Sequence, residues 1–159
     1  MLTIDKIQPK HDETIQKIIK KVGEEFGAVG EGFGPSDAEV AQMSAYYTED
    51  KRSRYLIALI NNEIVGGSGV APFGDSQTIC ELKKLFLLPT GRGFGVGKEL
   101  TLECLSYAKS QGFTHCYLDT LSSMKSAISL YEKLGFEHLK KPLEGTIHGN
   151  CDVWMIKEL

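Results

Sequence analysis

Apolar positions along this chain recur at two spacings, and each change of spacing marks a new element. Residues 3–8 alternate as a short strand, whereas Ile15, Ile18, Ile19 and Val22 fall on one face of a helix over 12–22. Acidic residues lead that helix and lysines close it. Residues 23–35 hold five glycines and two phenylalanines and read as a loop. The loop ends at Ser36-Asp37-Ala38-Glu39, whose serine and glutamate three positions apart form a capping-box start for a second helix. The β-rich runs 55–60 and 64–71 flank Asn61-Asn62, residues that tolerate the left-handed backbone of a tight hairpin. A long strand over 78–88 leads into a glycine-rich loop. The helix that follows, 96–111, carries Val96, Leu100, Cys104 and Tyr107 on one face and stops at Gly112. Strand 115–120, helix 125–134 with Ala127, Ile128, Tyr131 and Leu134 inward, and strands 136–140 and 152–157 complete the chain.

Strand, helix and strand between 78 and 120 imply a right-handed crossover and a parallel pair, while the earlier hairpin is antiparallel. The pattern predicts an α/β fold of mixed α+β character, with a mostly antiparallel sheet of six to seven strands and about four helices. With 159 residues, 42% hydrophobic, and neither repeat nor linker, residues 1–159 read as one domain. A net charge of −3 without a basic cluster argues against nucleic acid as a partner. No apolar run approaches the roughly 20 residues that span a bilayer, and Met1-Leu2-Thr3-Ile4-Asp5 lacks a basic head, so a cytoplasmic protein without a membrane partner is expected. Cys80, Cys104, Cys116 and Cys151 are scattered and read as reduced, mostly packed thiols. His11, His115 and His138 show no metal-ligand spacing, and no metal is expected.

The candidate chemistry lies in Arg92-Gly93-Phe94-Gly95-Val96-Gly97-Lys98, between the long strand and its helix. Glycines let the backbone approach an anion, and the first amides of a helix lack intrahelical partners and carry the positive end of its dipole. A pyrophosphate is the natural guest. The nucleoside-triphosphate loop would need glycine at Arg92 and Ser or Thr at Glu99. The dinucleotide fingerprint needs glycines spaced by two and then three, whereas these fall at 91, 93, 95 and 97.

Arg92, Gly95 and Gly97 do resemble the acetyl-CoA signature of the GNAT acyltransferase superfamily: Arg or Gln, two residues, Gly, one residue, Gly or Ala. Ala127-Ile128-Ser129-Leu130-Tyr131-Glu132-Lys133-Leu134-Gly135-Phe136 looks like the second signature helix of that family and the strand after it. The element order agrees with the family from Thr3 to Leu159. The resemblance implies a GNAT-like sheet with a splayed parallel pair and an acetyl-CoA-dependent N-acetyltransferase that acts by direct attack in a ternary complex. Backbone amides of Gly93, Gly95, Val96, Gly97 and Lys98 would hold the CoA pyrophosphate. Leu85 and Leu87 would pair main-chain groups with the pantetheine arm, and Phe86, Arg92, Phe94, Asp119 and Ser123 complete the expected cofactor contacts. Met124 stands where many members have Asn, with Ser122, Ser123 and Lys125 nearby.

An alkylammonium is neutral in only about one part in two thousand at pH 7, so generating the nucleophile costs about 4 to 5 kcal/mol. Glu81 matches the place of the catalytic glutamate in some members and is the expected base, directly or through a water; a glutamate paired to a neighbouring lysine is the alternative. Tyr131 matches the tyrosine beside the leaving sulfur. Full proton transfer from a phenol to a thiolate is uphill by about 2 kcal/mol, so hydrogen-bond donation is its expected role.

The acceptor, a primary amine on a small molecule, amino acid or peptide, is expected against the first inter-helix loop and the closing strands. Glu24, Glu25, Glu31, Phe26, Phe33 and Tyr46 are candidates there, with His148 before the strand that carries Trp154. A non-catalytic acyl-CoA-binding module and a nucleotide-binding enzyme are the competing readings, and the oligomeric state, a homodimer included, is left open.

Overall fold

The computed structural model describes residues 1–30, 32–147 and 149–159. Its elements run β1 (Leu2–Lys6), α1 (Asp12–Glu25), α2 (Met43–Tyr46), β2 (Arg54–Ile60), β3 (Glu63–Pro72), β4 (Ile79–Leu87), α3 (Val96–Ser110), β5 (His115–Thr120), α4 (Lys125–Lys133), β6 (Glu137–Leu139) and β7 (Val153–Glu158). The strands form one mixed sheet of seven in the order β1-β2-β3-β4-β5-β7-β6, with β4 and β5 its parallel pair. Asn61 and Asn62 both adopt positive φ, 52° and 69°, and turn β2 into β3 as their side chains permit. No helix among the described residues is long and apolar enough to cross a membrane.

Each face of the sheet buries its own core. On one face Leu100, Cys104 and Tyr107 of α3 and Tyr131 of α4 pack on Leu82, Cys116 and Leu118. On the other, Ile15, Ile18, Ile19 and Val22 of α1 pack with Val40, Met43, Tyr55 and Phe86. Three of the four cysteines, Cys80, Cys104 and Cys116, are buried and all four are free thiols.

The expected second helix is instead two 3-10 turns, Gly34–Ser36 and Ala38–Gln42, followed by the single turn of α2. Its capping groups are used elsewhere. The Ser36 hydroxyl donates to the carbonyls of Gly30 and Phe33, and the carboxylates of Asp37 and Glu39 are drawn to lysines of β4. Without a cap, a segment this short has no means to offset the cost of nucleating a helix.

Two irregularities of β4 shape the site. Parallel pairing with β5 covers only Ile79↔His115, Cys80↔Cys116 and Glu81↔Tyr117, after which β4 continues along β3 while β5 continues along β7. The two strands therefore part beyond Glu81. At the same place the β3–β4 register shifts between Gly67 and Gly69, and Lys84 takes a left-handed φ of 57°. This bulge inverts the alternation of the strand: Cys80 and Leu82 face α3 before it, Leu85 and Leu87 after it. Tyr55 fastens it by donating to the Lys84 carbonyl at 2.9 Å. Gly67 makes room for that ring, since a Cβ there would lie 2.5 Å from Tyr55 Cε1.

Glu49 joins three elements at the far edge, accepting from Arg54 at 2.7 Å, Lys6 at 3.2 Å and Tyr107 at 3.1 Å. The Arg54 hydrogen bond, joined by those of Lys6 and Tyr107 against a partial penalty of burial, lowers its pKa from 4.5 to about 2. A depressed carboxylate stabilises the fold above its unfolded pKa and loses that contribution as pH falls through the folded one. The melting-temperature gap between the wild type and Glu49→Gln is thus expected to hold from neutrality to about pH 4.5 and close toward pH 2; a gap of constant size across that window would contradict it.

Candidate active site

Two adjoining cavities meet where β4 and β5 part. The outer cleft, about 390 Å³, runs between the C-terminal end of α1, the glycine loop and the start of α4. The inner cavity, about 70 Å³, lies between Glu81–Phe86 of β4 and Leu118–Thr120 of β5. Leu85 and Met124 line both, so the two cavities adjoin at these side chains.

The outer cleft is built for an anion at one end. Helix α3 starts at Val96, and Gly95 before it has φ 73° with no side-chain cap on the helix start. By helix geometry the amides of Val96, Gly97 and Lys98 have no acceptor within the helix. Gly93 and Gly95 both have positive φ, and a Cβ at either would meet nothing within 4 Å, so conformation rather than crowding selects glycine there. At Gly97 a Cβ would stand 3.4 Å from Leu130 and 3.6 Å from Leu87, both cleft-lining side chains. The backbone amides and the dipole at the start of α3, with Lys98 among the lining residues, fit a pyrophosphate, and the apolar run of Leu85, Leu87 and Leu130 fits an extended thiol-bearing arm.

Arg92 organises the loop. Its guanidinium donates twice to the Leu87 carbonyl, at 3.0 and 2.8 Å, and forms a two-pronged pair with Glu25 at 2.7 and 2.8 Å. Those hydrogen bonds hold the Glu25 carboxyl below the usual range. Glu25 ends α1, where a helix dipole disfavours an anion, so Arg92 offsets an electrostatic conflict as it ties the loop to α1. Ser123 closes the same end from the other side, donating to the Phe26 carbonyl at 2.8 Å.

The inner cavity collects the titratable groups. Glu81, buried and paired in register with Tyr117, lies by alternation on the α1 face of the sheet, together with Asp119 two residues beyond Tyr117. Tyr131 approaches from the α4 side, 5% exposed, and among the described residues its hydroxyl has no hydrogen-bond partner. Burial, followed by Cys116 and Cys104, raises the Tyr131 phenol well above its ordinary value, so it stays protonated and able to donate. Asp119 accepts from Thr146 Oγ1 at 2.5 Å and from Tyr117 at 3.5 Å. Cys151 also lines the cavity, its thiol pushed up to about 12 by burial and then by Asp119.

The chain matches the profile of the acetyltransferase (GNAT) family over residues 20–136. It is 38% identical over 147 residues to the uncharacterized N-acetyltransferase YjgM of Escherichia coli K12, covering 91% of this chain and 87% of that protein. The chain belongs to the GNAT acetyltransferase family. Two GNAT-fold structures superpose over nearly its full length. The PaiA N-acetyltransferase of Thermoplasma acidophilum, in complex with coenzyme A, has a TM-score of 0.80 at 19% identity and covers 100% of this chain and 99% of its own. The phosphinothricin acetyltransferase of Sinorhizobium meliloti, in complex with acetyl-CoA, has a TM-score of 0.78 at 23% identity, covering 99% and 88%. The protein is thus an enzyme of the N-acetyltransferase class, on a GNAT fold with its splayed parallel pair.

Within this GNAT site the structure brings together Leu85, Leu87, Arg92, Gly93, Gly95, Val96, Gly97, Lys98 and Ser123 in the outer cleft, and Glu81, Tyr131 and Phe33 in the inner cavity. Other expected residues sit elsewhere. Asp119 lines the inner cavity rather than the outer cleft, on β5 beyond the point where it parts from β4. Phe86, two residues past Lys84, packs toward α1 and lines the inner cavity, not the outer cleft. Phe94 is 70% exposed and lines neither cavity. Glu25 and Phe26 lie at the outer cleft: the first pairs with Arg92, whose guanidinium lies 5.3 Å from the ring of the second. Tyr46 is 47% exposed beside Lys51, away from both cavities. Glu31 and His148 fall outside the described residues. Among the described residues no three His, Cys, Asp or Glu gather as a metal site.

The sequence reading missed a buried ion-pair network beside the inner cavity. Lys84 Nζ, its side chain 1% exposed, pairs with Asp37 at 2.7 Å and lies 3.7 Å from Glu39, while Lys83 pairs with Glu39 at 3.1 Å. Tyr47 also donates to Glu39. Burial opposes the charge on both members of the Lys83–Glu39 pair, yet their partners outweigh it: Lys83 is raised, and Glu39 is lowered chiefly by Lys84 and Lys83. The signal was two adjacent lysines in the otherwise apolar strand Ile79–Leu87, which a buried position demands be paired.

Proposed function

We propose that this GNAT enzyme transfers the acetyl group of acetyl-CoA to a primary amine by direct attack in a ternary complex. The observation that carries this reading is that the glycine-loop cleft adjoins, where β4 and β5 part, a cavity lined by both Glu81 and Tyr131. Acetyl-CoA, the ligand named for two fold neighbours in its acetylated or free form, would supply an activated acetyl thioester at the sheet centre. The amides of Gly93, Gly95, Val96, Gly97 and Lys98 would hold its pyrophosphate, and the main chain at Leu85 and Leu87 its arm. Glu81 would take the proton of the incoming ammonium, directly or through a water. Tyr131, kept protonated by burial, would donate a hydrogen bond to the sulfur as negative charge develops there. Cys151, with a thiol near 12, offers almost no thiolate at neutral pH, which favours direct transfer over an acyl-enzyme on that residue.

Amine-dependent release of CoA thiol tests the reading. Tight acetyl-CoA binding with no release across a broad amine panel would favour a non-catalytic acyl-CoA-binding module. Tyr131→Phe is expected to lower kcat about 10- to 100-fold with acetyl-CoA affinity nearly unchanged, because the lost hydrogen bond acts only once charge reaches the sulfur. Equal turnover in the two proteins would refute the donor role.

A further inference from the structure

We propose that the acceptor is a small free amine rather than an amine carried on a peptide or folded protein, a refinement that rests on the transfer reading above. The inner cavity, where the amine would meet the thioester, measures about 70 Å³ against about 390 Å³ for the outer cleft.

Its walls are two segments that meet over it and are each fastened to the body of the fold. The α1–α2 segment contributes Ala28, Phe33, Gly34 and Pro35, and the β6–β7 segment contributes Cys151. They touch where the Asn150 amide donates to the Gly32 carbonyl at 3.3 Å. Pro35 is buried against α1 at Gly23, where a Cβ would come within 2.5 Å of the proline ring, and the Ala28 amide donates to the Gly23 carbonyl at 2.8 Å. The far end of that segment is held by the pairs Asp37–Lys84 and Glu39–Lys83, on the strand that walls the cavity. The β6–β7 segment is held by Thr146 on Asp119, and by Asp152, which accepts from the amide and hydroxyl of Ser122 at 2.8 Å each.

A peptide chain lying over the gap between β4 and β5 would need these two segments apart, and parting the α1–α2 segment from β4 breaks largely buried ion pairs. A short amine needs no such opening. Glu81 and Asp119 stand one on each parting strand and on the same face, and the two lysines that also line the cavity, Lys83 and Lys84, are each paired to an acid of the α1–α2 segment, so the cavity suits an acceptor that arrives as a cation.

The test compares kcat/KM for thiol release with short unbranched alkylamines and diamines against the same amines presented as a lysine side chain and as the N-terminus of unstructured peptides. The free amines are expected to be about 100-fold better. Asp37→Ala and, on the other segment, Thr146→Val each loosen one fastening, and at least one that keeps its melting transition and acetyl-CoA affinity is expected to narrow that ratio about tenfold through a gain for peptides. Peptide amines turned over as well as free amines by the wild type would overturn the inference and leave the transfer reading standing. A ratio unchanged in both folded variants would overturn the role assigned to the fastened segments. Release of thiol with neither class would overturn the transfer reading, and this inference with it.

Discussion

Gly97→Glu is expected to weaken acetyl-CoA binding by at least about 100-fold, close to 3 kcal/mol, while the melting temperature holds or rises by a few degrees. The two effects part company because of where Gly97 stands. It is the second residue of α3, where replacing glycine recovers backbone entropy and an acidic side chain complements the helix dipole. A Cβ there has ordinary van der Waals room, 3.4 Å from Leu130 and 3.6 Å from Leu87. Those same neighbours line the outer cleft, so the new carboxylate is carried to the place where the pyrophosphate is proposed to bind. Calorimetric titration with acetyl-CoA, run beside thermal melts, reads both. A variant that binds like the wild type would remove the glycine loop from the cofactor site.

Glu81→Gln is expected to lower kcat about 10²- to 10³-fold with acetyl-CoA affinity intact, the range a positioned general base contributes. The deficit should narrow as pH rises toward the pKa of the amine, because solvent then supplies the neutral nucleophile that Glu81 otherwise generates. A pH–rate comparison of the two proteins separates this from a structural role. A glutamate that only supports the sheet would cost stability and acetyl-CoA affinity together, with no change in the shape of the profile.

The glycine loop, the helix that presents Tyr131 and the strand–helix–strand crossover were legible because each rests on local chemistry. Glycines at alternate positions, a helical stripe ending at Gly135, and the length needed to connect parallel strands all lie within a single stretch of chain. The Asn61-Asn62 hairpin was legible for the same reason. What failed depended on partners far apart in sequence. Ser36 and Glu39 spell a helix cap, yet Glu39 is claimed by Lys83 from 44 residues away, and the helix shrinks to a single turn. Glu25 reads as a free acid in a loop, but Arg92, 67 residues on, takes it. The splay of the parallel pair was expected, and only the structure shows where it starts: pairing stops at Glu81↔Tyr117, which leaves Asp119 on the wall of the inner cavity. The bulge at Lys84 left a trace that went unread. Apolar residues facing α3 fall at 80 and 82 and then at 85 and 87, a slip of one position in a strand whose period should be two.

Acetyl-CoA and an amine are proposed to occupy the adjoining cavities at the same time and to react there directly. Initial rates of CoA-thiol release, measured over a grid of acetyl-CoA and short-amine concentrations, test this most directly. Double-reciprocal lines that intersect, and no release without amine, are expected. Parallel lines, or release that does not depend on the amine, would contradict it.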